Sequence, residues 1–431
     1  MKIFLYIVFF LFTFTYAKAE INIKFYINAA LENNLRLNAE RENNKSIKQN
    51  INISRSEFLP SLSINADQTS SQSFNRTNQS GAALPDSNSD NDSKSISVDQ
   101  KIFQGFKGYN SLKKSELEVK KAGHELNKIK QETILDTAVA YFEYIFNNQN
   151  EKFNSANINL FERQVESDSA RAQKGEITLT DLAQSESSLA GAKANFIKAE
   201  TDLLTSKINF ERITREKAPD PENLEEKIDL KLPETLQQAL NQAKQKNLDL
   251  LIAEVDFLIS EKELKIEKAK LSPSASLNFS KSENNDFSST VDKVDEESVK
   301  ATITWPIIKG GKNLSSIKKS SLNKEKMSLM LQDAKSKVTA ETTNAWSKFQ
   351  SSGSVLIATE AQLKAAEIAN EGITLEYDSG NTRTTLDVIQ SRSLLLDARI
   401  THAKAERDFI ISKFKLAFQI GSLSLNNINT L

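Results

Sequence analysis

Two short motifs hold the residue types best placed to do more than pack. Thr178-Leu179-Thr180-Asp181 and Thr384-Thr385-Leu386-Asp387 each set an aspartate three residues after a threonine. At that spacing the threonine can cap a new helix while the carboxylate reaches back to the cap N–H. Capping by itself accounts for Asp181 and Asp387. Gly175 precedes Asp181 by six residues and Gly380 precedes Asp387 by seven. Asn381 tolerates the left-handed turn position as well, so the second turn is expected to be one residue longer. Little else in the chain is reactive. There is no cysteine, and the two histidines, His124 and His402, stand far apart. This excludes a disulfide framework, a thiolate metal site and a histidine-based catalytic cluster. No catalytic residue, metal or cofactor is expected, and the chain does not read as an enzyme. A net charge of -1 gives no bias toward nucleic acid.

The elements that must carry these turns are unusual. No proline falls between Pro85 and Pro219 or after Pro306, and both gaps are rich in Ala, Glu, Lys, Leu, Ser and Gln. That is the composition of very long helices. The chain also repeats itself. Each half opens with an apolar-periodic segment, Phe25 to Glu57 and Leu236 to Lys270. A proline-bearing strand start follows, at Leu59-Pro60-Ser61-Leu62 and Leu271-Ser272-Pro273-Ser274. Then come a polar loop, a second strand, a Gly turn, a helix of about 70 residues (roughly 100 Å at 1.5 Å per residue), a short Gly turn and another helix. Repeat one is read over 20–216, with strands near 59–67 and 94–103 and a tip hairpin near 174–182. An inter-repeat segment covers 217–233. Repeat two covers 234–421, with strands near 272–280 and 298–307 and a tip hairpin near 378–388. A tail covers 422–431.

The strands alternate with period two. Leu62, Ile64, Ile96, Val98, Leu277, Phe279, Ile303 and Trp305 fall on one face, and small polar residues fall on the other. Lipid outside and water inside would suit such strands. Four strands cannot close a barrel, so several chains would have to contribute. The intervening segments Gln68–Lys94 and Lys281–Glu297 are polar and read as solvated loops. After the turns, Leu182, Leu189, Phe196, Leu203 and Phe210 recur every seven residues, as do Val388, Leu395, His402, Phe409 and Leu416. Strict sevens specify left-handed coiled-coil packing. The two series are offset by 206 residues (Val388 against Leu182), so both halves should share one seam. His402 is read as a seam or surface residue.

Residues 1–19 read as a cleaved signal peptide: Lys2, an apolar run, then Ala17-Lys18-Ala19. No later stretch is apolar enough for a transmembrane helix, so a membrane crossing would have to use β-strands.

With these features assembled, the chain resembles the TolC family of outer-membrane efflux proteins over essentially its whole mature length. The Leu-Pro-x-Leu strand start, the exits near Gly105 and Gly310-Gly311, and the two turns, Lys174 to Leu182 and Tyr377 to Val388, carry the resemblance. It implies a mainly α fold with transmembrane β: two tandem repeats forming, as a homotrimer, a twelve-stranded β-barrel continuous with a periplasmic α-helical coiled-coil tunnel. It implies residence in the outer membrane of a Gram-negative bacterium. Its expected partners are outer-membrane lipid, a periplasmic adaptor and an inner-membrane transporter, with small molecules or secreted proteins as cargo. It further implies a tip gate at Asp181, Tyr377 and Arg383. Asp387 would form a constriction ring, and Gln390 stands where relatives carry a second acid. A trimeric coiled-coil surface protein or adhesin is the alternative, but it gives no reason for two strand pairs and a duplicated hairpin.

Overall fold

The structure is a computed structural model that describes residues 23–219, 228–288, 291–379 and 383–430. The signal-peptide reading of residues 1–19, and the turn positions Gly380 and Asn381, lie outside the described residues. The helices are α1 (Ile23–Asn33), α2 (Leu35–Ser56), α3 (Lys107–Gln173), α4 (Leu179–Thr214), α5 (Leu236–Lys246), α6 (Leu248–Ala269), α7 (Lys312–Asp378) and α8 (Thr385–Gln419). The strands are β1 (Ser61–Ser73), β2 (Ser87–Gln104), β3 (Ile228–Leu230), β4 (Ser274–Ser288), β5 (Val291–Thr304) and β6 (Ile428–Thr430). The two 67-residue helices, α3 and α7, start just after the glycine exits, as the proline-free composition requires.

Two compact units divide the chain, and each draws on both repeats. The first comprises 1–38, 130–243 and 341–431; the second comprises 39–129 and 244–340.

The first unit holds the hydrophobic core. Ile23 and Ile27 of α1, Tyr141 of α3, Phe210 of α4 and Phe414 of α8 are fully buried together. Tyr26 stacks edge-on against Phe210 at 4.9 Å between ring centres. The inter-repeat segment and the tail meet here, because β3 pairs antiparallel with β6, Leu230 opposite Ile428. The heptads are present on α4 and α8, but the most deeply buried stripe is the small-residue one beside them. Ser185, Ala192, Ala199 and Ser206 on α4 are buried, and so are Ser391, Ala398, Ala405 and Ser412 on α8. The two stripes are identical in sequence at the 206-residue offset. Small side chains at these positions let helix backbones approach closely. His402 is half-buried, 3.4 Å from the Thr359 hydroxyl and 3.5 Å from the Glu406 carboxylate.

The second unit carries a four-stranded antiparallel sheet in the order β1-β2-β4-β5, leaving β1 and β5 as edges. Its register separates two faces row by row. Leu62, Val98, Phe279 and Val299 align across all four strands as one apolar row. The next row, on the opposite face, is Ser63, Ser97, Ser280 and Ser298, with Ser63–Ser97 at 2.7 Å and Ser280–Ser298 at 2.8 Å. Leu277 and Ile303 share the apolar face. Ile64 and Ile96 do too, but their row continues into Lys281 and Glu297, which pair at 2.7 Å. Trp305 lies just beyond β5, where its indole donates to the Leu271 carbonyl at 3.1 Å.

The strands correct the loop reading. Most of Gln68–Lys94 and Lys281–Glu297 is strand, since β1 reaches Ser73, β2 begins at Ser87, and β4 and β5 continue to Ser288 and Val291. Beyond the apolar rows both faces are polar, so the alternation that marks a strand in sequence vanishes while the hydrogen-bond ladder continues.

Helices α3 and α6 run antiparallel in this unit and are cross-linked by charge. Lys114 pairs with Glu263 at 2.9 Å, Lys121 with Asp256 at 2.8 Å and Lys128 with Asp249 at 2.5 Å. The lysines recur every seven residues going up and the acids every seven going down, which keeps all three pairs on one seam.

Candidate functional site

The starts of α4 and α8 are capped as the capping-box spacing predicts. Thr178 caps α4: its hydroxyl accepts from the Asp181 N–H at 3.2 Å, and the Thr178 N–H donates to Asp181 Oδ2 at 3.0 Å. Thr384 and Asp387 repeat this at α8, at 3.2 Å and 2.8 Å. The threonine contacts hold both carboxyls below the usual aspartate range, through the hydroxyl first at Asp181 and the backbone N–H first at Asp387. A lowered carboxyl contributes stability that is present above the ordinary aspartate pKa and lost as pH falls through the lowered value. Only Oδ2 is used in each cap; the other oxygen makes no hydrogen bond among the described residues. Gly175 supplies the left-handed position (φ 74°) that the first turn needs.

The three proposed gate residues are not joined to one another within the chain. Asp181 bonds Thr178. The Arg383 Nε donates to Glu376 at 2.6 Å across the second turn. Tyr377 turns inward, only 6 % exposed, and its hydroxyl donates to Asp168 at 2.9 Å. Gln390 is exposed, one helical turn beyond Asp387.

The centre of the site is Asp168, which the sequence reading did not single out. It is fully buried and is bonded by three side chains from three helices. Ser185 of α4 donates to it at 2.5 Å, Tyr377 of α7 at 2.9 Å, and Gln164 of α3 contacts both oxygens at 3.0 Å. Thr385 of α8 joins through a 3.1 Å bond to Tyr377. The Arg171 guanidinium lies 4.7 Å from the Tyr377 ring centre. Arg392 of α8 donates to the Leu160 carbonyl at 3.2 Å. Burial pushes the Tyr377 hydroxyl up, with the Asp168 carboxylate adding to it, and burial pushes Arg392 down. One carboxylate therefore ties the α3–α4 hairpin to the α7–α8 hairpin. A signal for it exists in the sequence. Asn154, Asn157, Phe161, Gln164 and Asp168 follow the alternating three-and-four spacing of a buried helix face, and all are buried. Polar residues on such a face must find partners inside.

The carboxylates of this arrangement serve two helix caps and one helix-to-helix tie. What the arrangement can do is hold two hairpins shut by directional, breakable bonds. Among the described residues no helix is long and apolar enough to cross a membrane.

Known proteins resemble the chain over most of its length. A family model described as outer membrane efflux protein matches residues 26–214 and 239–422. The outer membrane efflux protein BepC of Brucella suis is 24% identical over 405 residues, covering 93% of this chain and 85% of that protein. The outer membrane protein TolC of Vibrio cholerae is 25% identical over 414 residues, covering 94% and 92%. Among solved structures, the Campylobacter jejuni CmeC outer membrane channel superposes with a TM-score of 0.80 at 15% identity, covering 93% of this chain and 86% of that one. The outer membrane protein VceC of Vibrio cholerae gives 0.76 at 17%, covering 93% and 96%.

Proposed function

The chain belongs to the outer membrane efflux protein family, and from that premise we propose that three copies build one passive duct, open to the cell exterior through a shared twelve-stranded barrel. The two-faced sheet with unpaired edges carries this reading. An apolar row spanning four strands suits lipid, the serine row behind it suits water, and β1 and β5, with no further neighbour among the described strands, leave a ladder that other copies could complete. A soluble spacer has no use for such a sheet, so the adhesin reading is not favoured. A periplasmic adaptor and an inner-membrane transporter would supply docking and energy, and the cargo would be small molecules or exported proteins. The test is assembly and conductance. Purified protein should run as a heat-resistant trimer and open channels in planar bilayers; a soluble monomer without conductance would reject the duct.

The turns serve as its gate. Each capping aspartate uses one oxygen for its own helix and leaves the other without a hydrogen bond among the described residues, so capping leaves room for gating at Asp181 and Asp387. Asp181→Ala combined with Arg383→Ser is expected to raise closed-state single-channel conductance several-fold, and unchanged conductance would remove both residues from the gate. Three-fold symmetry would gather the Asp387 carboxylates near one axis, a ring that favours cations. Asp387→Ala should then weaken divalent-cation block. With Gln390 in place of an acid the wild-type block is itself modest. Block at full strength in the variant would put the constriction elsewhere.

A further inference from the structure

The place where strands become helices carries a concentration of charge that the duct reading leaves unexplained. The register shifts between Lys101 and Phe103, which keeps Lys101 opposite Ser276 and brings Gln104 opposite Ser274. Ser276 and Ser274 in turn face Thr302 and Thr304. Lys101 therefore sits on the serine face, whereas Ala275 and Ile303 belong to the apolar one. Three chain passages are locked together here. Gly105 (φ 59°) lies so close to Ser272 that a Cβ would stand 2.3 Å from the serine Cβ. The Trp305 indole holds the Leu271 carbonyl. Asn313 donates to the Lys270 carbonyl at 3.4 Å.

These ties set Lys101, Lys107, Lys270, Lys309 and Lys312 around one cavity of about 640 Å³. Among the described residues no aspartate or glutamate lines it. Lys270 pairs with Glu267 at 2.6 Å, while the other four make no ion pair among the described residues. Along the α3–α6 seam, by contrast, Lys114, Lys121 and Lys128 are each matched to an acid. Like charges held around one cavity repel, and a bound anion relieves that repulsion. Ser274, Ser276, Thr304 and Gln104 supply neutral hydrogen-bonding groups around the same space.

We propose that this lysine cluster is an anion-binding collar at the base of the barrel, which draws phosphorylated or polycarboxylate solutes into the duct and so biases its cargo. The proposal rests on the duct reading, under which the serine face is the wet one and three copies would close the collar into a ring.

Tripolyphosphate is the probe, with the full chain and a Lys101→Gln/Lys309→Gln/Lys312→Gln variant that still runs as a heat-resistant trimer. The expected results are a wild-type thermal shift on adding tripolyphosphate that the variant lacks, and an anion-to-cation permeability ratio about tenfold lower in the variant, from reversal potentials across a KCl gradient. Equal thermal shifts and equal reversal potentials overturn the collar. So does loss of bound phosphatidylglycerol in the variant, by native mass spectrometry, with reversal potential unchanged, because the lysines would then face lipid. If wild type shows the thermal shift but no conductance, the duct reading falls while anion binding by the cluster stands. If it conducts with no thermal shift, the collar falls and the duct stands.

Discussion

Replacing Asp168 with alanine is expected to release the two tip hairpins from each other while the core around Phe210 and Phe414 stays folded. The substitution strips the acceptor from Ser185, Gln164 and Tyr377 at once. Tyr377 keeps its bond to Thr385, but the Ser185 hydroxyl and the Gln164 amide are left buried without this partner. An unsatisfied buried donor costs about 1–3 kcal/mol, so the local loss should be roughly 3 kcal/mol or more. That corresponds to amide exchange faster by about 100-fold in the turns of α3–α4 and α7–α8. Asp168→Asn keeps one acceptor oxygen, enough for Tyr377, but aims an amide at other donors, so it should fall between. Exchange at wild-type rates in the alanine variant would show that Asp168 fills space and holds nothing. If the tip is the gate, the same variant should also conduct more in its closed state.

The second large effect belongs to Gly105. Gly105→Ala would put a methyl 2.3 Å from the Ser272 Cβ and 2.8 Å from the Ala269 carbonyl, at a backbone angle that disfavours an L side chain. The left-handed conformation alone costs about 1–2 kcal/mol. Overpacking adds about 1–3 kcal/mol. Gly175→Ala is the internal comparison: its φ is 74°, yet nothing lies within 4 Å of the added methyl, so only the conformational cost applies. We expect Gly105→Ala to lower the dissociation temperature of the assembled species much more than Gly175→Ala does, read as heat resistance on a gel. Equal shifts would mean that the junction yields without penalty.

Much of this architecture is legible in the sequence, for identifiable reasons. The long helices show through missing prolines, the turns through Thr-x-x-Asp, and the coiled-coil seam through its sevens. Strand pairing is readable only where one face is apolar. Beyond Ala66 and Phe279 the chain alternates one polar residue with another, and the outer parts of both strand pairs therefore read as loops. Asp168 was hidden for a related reason. A heptad search weighted to apolar residues finds Leu182 and Val388, but passes over Asn157, Gln164 and Asp168, whose burial depends on partners from other helices. The lysine collar could not be seen at all, since its members come from three separate segments that the strand register and the Gly105, Trp305 and Asn313 contacts bring together.

The lysine–acid ladder between α3 and α6 has a property that follows from its even rungs. Slide one helix by seven residues and Lys114 meets Asp256 while Lys121 meets Asp249, so two of the three rungs re-form. The ladder loses one rung of three at the neighbouring notch, like a rack whose teeth still engage one step away. Position must be fixed more firmly elsewhere, and just past the ends of these two helices the glycine pressed against Ser272 is too tight to admit a neighbouring notch. A single residue without a side chain thus acts as the zero mark for two helices that hold each other by charge.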